Sequence, residues 1–284
     1  MEQKDFSEFK FRIKNDKMRF YHHRASGKTA VKLTGTVFHT HEFPEIVYVV
    51  RAKGHHITEG AEYELKKDML ILNSPGVHHK IKLDPDDIYD RYYICFSPEI
   101  AGDIDLEEIY SNIRVMDCSE NKIISDIFKR ADYYCEHLKE EDFPQMLIIL
   151  IKELIYNLIN FNSTDNVEYT TVHPLLEKAI DYINKNLFTL KSVSQISDAL
   201  YITERYLYEL FKNQLKTTPK KYINEKKLYF ARQEILKGEN PGDVCFKAGF
   251  LEYSTFYRSY KKYFGYPPSK EIVNLSITND QYTP

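Results

Sequence analysis

Imidazoles are concentrated in two short segments of this chain. His39-Thr-His41-Glu-Phe-Pro-Glu45 precedes the apolar run EIVYVV, and Ser74-Pro-Gly-Val-His-His79 follows the run MLIL. Residues two apart in an extended segment share a face, so His39 and His41 fall on one side, where a carboxylate and a third imidazole from neighbouring strands can join them. Three uses are open to such a set: hydrogen-bonded packing in a β core, the lining of a small-molecule pocket, or ligation of a divalent metal. The sequence has no G-x-S-x-G nucleophile elbow, no phosphate-binding glycine-rich loop and no motif of paired catalytic carboxylates. Catalysis would have to run through the metal, and the expectation is a protein with no catalytic residue and no cofactor.

A second group of chemistry-bearing residues lies near the other end. Glu204, Arg205, Tyr208, Glu209 and Lys212 follow Thr203 at helical spacing, and Tyr253, Ser254, Tyr257, Arg258, Lys261 and Lys262 do the same further on. Cations and tyrosines on an exposed helix face can hold phosphates and read base edges. The net charge of −3 on 284 residues argues against a nucleic-acid partner only as an average. Cut after Glu168, the first part carries 22 basic and 30 acidic residues and the second 17 basic and 12 acidic, or −8 against +5. The excess of positive charge sits where a polyanion would be bound.

The elements that must position these groups change character along the chain. From about Arg19 to Phe96, short apolar runs such as VKLTGTVF, EIVYVV, MLIL and IYDRYYICF are separated by turn residues, which predicts an all-β antiparallel sandwich or barrel. Ile124, Ile127, Phe128, Ala131, Tyr134, Cys135 and Leu138 then follow the period of an amphipathic helix. A second helix through QMLIILIKELIYNLINF has an apolar face half its circumference wide, to be buried in a core or against a second subunit. The polar stretch Asn162 to Pro174 reads as a linker. Cys95, Cys118, Cys135 and Cys245 form no C-x-x-C pair, the N-terminus lacks a signal-like apolar run, and Lys152 and Glu153 interrupt the most apolar segment. A cytoplasmic protein without a membrane partner is expected.

Beyond the linker the pattern is helical. Ser192 and Gln195 form a capping-box pair before Val193, Ile196, Ser197 and Leu200, a turn falls at Tyr201-Ile202, and Thr203 can cap a helix with Leu207, Leu210, Phe211 and Leu215 inside. Pro241 opens another short helix with Val244, Cys245 and Ala248 inside, Gly249-Phe250 turns, and a helix follows on Phe256, Tyr260 and Phe264, with Tyr206 assigned to the core alongside these. TPKKYINEKKLYFARQEILKG forms the spacer, ended by Gly238. Two such pairs on a rigid spacer can enter successive major grooves on one DNA face, about 34 Å apart.

ALYITERYLYELFKNQLKTTPKKYI and GFLEYSTFYRSYKKYFGYPPSKE resemble the DNA-binding domain of the AraC family of transcription regulators, over about Leu175 to Ile272. The resemblance implies base contacts at Arg205, Tyr208 and Glu209, and Arg258 matches the family well. His39, His41, Glu45 and His79 fit the cupin pattern H-x-H-x-x-x-E followed by P-G-x-x-H. Together these imply a cupin-like jelly-roll sensor over 1–105, a helical linker and dimerisation segment over 106–174, and an all-α DNA-binding domain over 175–274. Its helix-turn-helix units fall at about 193–214 and 241–264, and 275–284 form a tail. The implied protein is a ligand-responsive activator. Its partners are double-stranded DNA with paired half-sites, a small effector such as a sugar, a second copy of itself and RNA polymerase. The competing class is a metal-dependent cupin enzyme, a dioxygenase or isomerase, with a helical accessory domain.

Overall fold

The computed structural model describes residues 5–15, 17–34, 38–104, 106, 114–160, 167–171 and 173–273. Residues 162–166 and 172 of the expected linker and all of the 275–284 tail lie outside them. The chain forms two compact units that divide between Thr170 and Thr171.

The first unit is built on two antiparallel sheets. Strands β1 (Ser7–Lys14), β2 (Met18–Ser26), β8 (Ile88–Phe96), β3 (Glu45–Arg51), β6 (Met69–Asn73) and β9 (Arg114–Asp117) are neighbours in that order in the larger sheet. In the smaller one β4 (Gly54–Ile57) pairs with both β5 (Ala61–Glu64) and β7 (Lys80–Leu83). Alternation along β8 sends Tyr92, Ile94 and Phe96 to one face of the larger sheet and Tyr89, Tyr93 and Cys95 to the other. Both faces are buried. The inner one, with Val47, Val49, Met69 and Ile71, meets Leu65 and Leu83 from the side of the smaller sheet.

The outer face is covered by the short helix α2 (Pro98–Ala101) and by helices α3 (Lys122–His137) and α4 (Phe143–Asn160). Ile127, Phe128 and Ala131 of α3, with Leu147, Leu150, Ile151, Leu154, Ile155 and Leu158 of α4, join Phe20, Ile46, Leu70 and Ile94 in one core. Each of the larger of these side chains removed from water contributes about 1.5–3 kcal/mol. The wide apolar face of α4 is thus an intrachain core face. Of the described helices α4 alone is long and apolar enough to cross a membrane, and the sheet already covers that face. His22 pins α3 to the sheet, bonding Asp132 of α3 and Asp90 of β8 at 2.8 Å each. Burial opposes its charge, but the hydrogen bonds it donates to Asp132 and Asp90 push it up to about 9.

Two expectations for this unit are corrected. The VKLTGTVF run does not begin as a strand: Gly27–Thr34 is a helix, α1, after Ser26, whose hydroxyl accepts from the Thr29 amide. An N-cap outweighed the alternation of Val31 and Leu33 with lysine and threonine. Strand β9 falls inside the segment expected to be helical and extends the larger sheet beside β6, Met69 opposite Asp117.

The second unit contains α5 (Pro174–Asn186), α6 (Ser194–Ala199), α7 (Glu204–Leu215), α8 (Pro219–Leu236), α9 (Pro241–Lys247) and α10 (Tyr253–Phe264). Its starts are those the sequence marks: Thr203 accepts from the Tyr206 amide, Thr218 from that of Lys221, and Asn240 from that of Gly242. The capping box at Ser192 is one-sided. Gln195 accepts from the Ser192 amide at 3.1 Å, while the Ser192 hydroxyl pairs with Ser194. Helix α8 is buried on several sides, which brings Glu225, Lys227 and Arg232 into the interior with Tyr222, Leu228 and Ala231.

Candidate ligand site and nucleic-acid interface

His39, His41, Glu45 and His79 do converge. A ligand atom from each lies within 4.8 Å of the others. The approach is built by backbone pairing, since His39 and His79 form an isolated antiparallel bridge with N–H to O distances of 3.1 and 3.0 Å. Glu45 begins β3 on its inner face, with Val47 and Val49 following at the period of two. His41 Nε2 stands 2.7 Å from one Glu45 oxygen, and His79 Nε2 is 3.2 Å from the other, to which the Asn73 amide donates at 2.8 Å. Burial alone would raise the Glu45 carboxyl, but His41 and His79 hold it well below the usual range.

Three imidazoles and a carboxylate are a donor set that suits zinc, iron or manganese. The same carboxylate is also fully engaged by its own neighbours, which is what a hydrogen-bonded polar cluster requires. His56, which sequence reasoning did not single out, is buried in the same interior with its ring 5.8 Å from that of His79. Burial and then His79 press its pKa down to about 3. Its signal was the alternation within GHHIT, which sends His56 inward.

In the second unit each short helix, turn and longer helix forms one helix-turn-helix. The turns share a hydrogen bond at equivalent places, Ile202 N–H to Ser197 O at 2.9 Å and Phe250 N–H to Cys245 O at 3.1 Å. Ser197 and Cys245 are buried at the helix crossings, where small side chains fit. On α7, Arg205, Tyr208, Glu209 and Lys212 are exposed, as is the cap residue Thr203. On α10, Tyr253, Ser254, Arg258, Lys261 and Lys262 are exposed and Tyr257 is half-buried. Of the eleven residues expected to face DNA, ten therefore lie on the two second helices and Thr203 caps the first of them, and all but half-buried Tyr257 are exposed. One core assignment fails: Tyr206 is 44% exposed, standing beside Arg205 on the open face rather than with Leu207.

The two faces differ in charge. Arg205 Nε donates to Glu209 at 3.0 Å one turn away, so this pair is neutral. Arg258 Nε donates to the Ser254 carbonyl of its own helix at 3.2 Å, with Lys261 and Lys262 in the last turn. Within the second unit, between its two helix-turn-helix motifs, buried Lys227 donates to the carbonyls of Leu190 at 3.1 Å and Gly249 at 2.9 Å. Burial depresses its pKa, and the two bonds hold the second turn against the segment before α6.

Residues 30–132 match the model of an AraC-like ligand binding domain, and residues 196–271 match that of a helix-turn-helix domain. The chain is 23% identical over 239 residues to a probable transcriptional regulator, LumQ of Photobacterium leiognathi, covering 82% of this chain and 90% of that one. It is 27% identical over 139 residues to the lactose operon transcription activator of Staphylococcus xylosus, covering 47% of this chain and 50% of that one. With the raffinose operon transcriptional regulatory protein RafR of Pediococcus pentosaceus it shares 24% over 176 residues, or 61% and 55% of the two chains. Among solved structures, ToxT of Vibrio cholerae aligns over 91% of this chain and 98% of its own at 14% identity, with a TM-score of 0.37.

Proposed function

The chain belongs to the AraC-type transcription regulators, and on that premise we propose that it is a cytoplasmic, ligand-responsive activator that binds paired half-sites on double-stranded DNA as a homodimer. The observation that carries the reading is the pair of helix-turn-helix units with the same turn hydrogen bond, each presenting an accessible second helix. A small molecule in the β interior alters how the first unit holds α3 and α4, and so biases the placement of two DNA-binding domains toward RNA polymerase recruitment. The similarity to regulators of a lactose and a raffinose operon makes sugars and their derivatives the first effectors to test. With the inner face of α4 already packed, the positions open to a second copy are Ile149 and Tyr156 on α4 and Ile123 and Tyr133 on α3, all more than half exposed.

We read His39, His41, Glu45 and His79 as the polar lining of a non-enzymatic receiver, supported by the engagement of both Glu45 oxygens. The donor set keeps one other reading in play, a metal-dependent cupin enzyme. Metal analysis of the purified protein separates them. Substoichiometric iron, manganese and zinc are expected, whereas a stoichiometric metal lost in the His39→Ala, His41→Ala double variant would favour the enzyme. The regulator reading is tested by selecting bound DNA from a random pool with and without candidate sugars. Enrichment of a two-part site is expected, and flat recovery across sequences would contradict it.

A further inference from the structure

We propose that the small molecule received by the β interior carries an anionic group, a carboxylate or a phosphate monoester, and that Arg91 and Tyr89 bind it at the end of the interior opposite the histidines. The inference rests on the reading of that interior as an effector site. Arg91 lies between Tyr89 and Tyr93 on the inner face of β8 and is only 7% exposed. Its guanidinium is 3.1 Å from His23 Nδ1 and lies against the rings of Tyr89, at 4.3 Å, and Tyr21, at 5.7 Å. Burial and then Arg91 itself press His23 down to about 3, so this imidazole is neutral and accepts a hydrogen bond without compensating the charge.

Among the described residues no carboxylate pairs with Arg91. Glu45, the acid of the same interior, pairs across the sheet with Cys95, four residues from Arg91, or about 13 Å along a strand, and supports the guanidinium charge only through space, while the Tyr21 hydroxyl gives it a neutral hydrogen-bond partner. Its oxygens are held by His41, His79 and Asn73. A buried cation with no carboxylate in contact is costly, and the guanidinium fork is matched by a planar carboxylate or a phosphate. A second observation points the same way. Tyr89 is 1% exposed and its hydroxyl, buried beside the guanidinium, has no hydrogen-bond partner among the described residues. A donor in that position needs an acceptor, and an anion's oxygens satisfy the hydroxyl and the guanidinium together. Tyr21 and Tyr93, stacked at 4.6 Å on the same face, offer an aromatic wall for the body of the molecule.

The test is calorimetric titration of the full chain with matched compounds: glucose, glucuronate and glucose 6-phosphate, then benzyl alcohol and benzoate. Expected is a charged member binding about tenfold or more tightly than its neutral counterpart, the glucuronate and phosphate arms telling the two anion types apart. Arg91→Gln should abolish that preference. Tyr89→Phe removes only an unpartnered oxygen, so it should melt like the parent protein while losing affinity for the anion by about threefold to tenfold. Equal or tighter binding of the neutral members, no binding by any charged member, or unchanged anion affinity in Tyr89→Phe would overturn the assignment. Tight binding of a neutral member alone would leave the effector reading standing, and the DNA selection is decided independently of either.

Discussion

The two helix-turn-helix units follow one plan, equivalent residues standing 48 apart, yet they differ at the turn and on the exposed face. At the turn position with positive φ the second unit has Gly249, at φ 75, and the first has Tyr201, at φ 55. A Cβ on Gly249 would stand 2.3 Å from the Phe188 carbonyl oxygen, whereas the Tyr201 side chain is 96% exposed. The second turn is pressed against the rest of its domain and tied there by Lys227. The first turn faces solvent and tolerates a side chain in a conformation that glycine would hold with less strain. On the exposed faces, the first unit neutralises its arginine with Glu209, while the second gathers Arg258, Lys261 and Lys262 without an acid among them. The first exposed face is therefore close to neutral at its arginine and the second is basic.

The sharpest way to break this comparison is at the turns. Gly249→Ala should destabilise the protein by about 3 kcal/mol, combining a left-handed backbone with a backbone collision, while Tyr201→Gly should be neutral or stabilising by up to about 1 kcal/mol. Denaturant melts followed by circular dichroism would decide, and equal costs at both turns would refute the distinction. Next, Arg258→Ala should weaken binding to the selected site by about 1–3 kcal/mol and leave random DNA nearly unaffected, with a smaller loss for Arg205→Ala because Glu209 already holds that guanidinium. Lys261→Ala should weaken all sequences alike and flatten the salt dependence by about one ion, read from affinity against salt concentration. The smallest expected effect is a gain. Glu209→Gln removes a negative charge and frees Arg205, so affinity for random DNA should rise by about 0.5 kcal/mol, and a fall there would mean that the pair itself positions Arg205 for contact.

Much of the second unit was legible because its information is local. Thr203, Thr218, Asn240-Pro241 and Gly249 mark their starts and turns within a few residues, and the exposed positions proposed to face DNA follow from the helical period. Tyr206 escaped that logic because a large aromatic looks like core from composition, although its position places it beside Arg205 on the open face. The first unit was less legible because its determinants are distant in sequence. Four residues of β9 are a strand only because β6 is beside them, and the broad apolar face of α4 has its partner in the outer face of a sheet formed earlier in the chain. Arg91 was hidden for the same reason. Within IYDRYYICF a lone arginine reads as solvent-facing, and it is interior because α3 and α4 take the opposite face of β8. His39, His41, Glu45 and His79 were readable as a set from spacing alone, but the hydrogen bonding that leaves Glu45 without a free oxygen was not.

The most direct measurement is the affinity of the intact protein, its Arg258→Ala variant and its Arg205→Ala variant for the selected two-part site and for random duplex of equal length, in the same buffer. A large loss confined to the selected site for Arg258→Ala, with a smaller one for Arg205→Ala, is the expected result. Equal losses on selected and random DNA for both variants would contradict base readout by these helices.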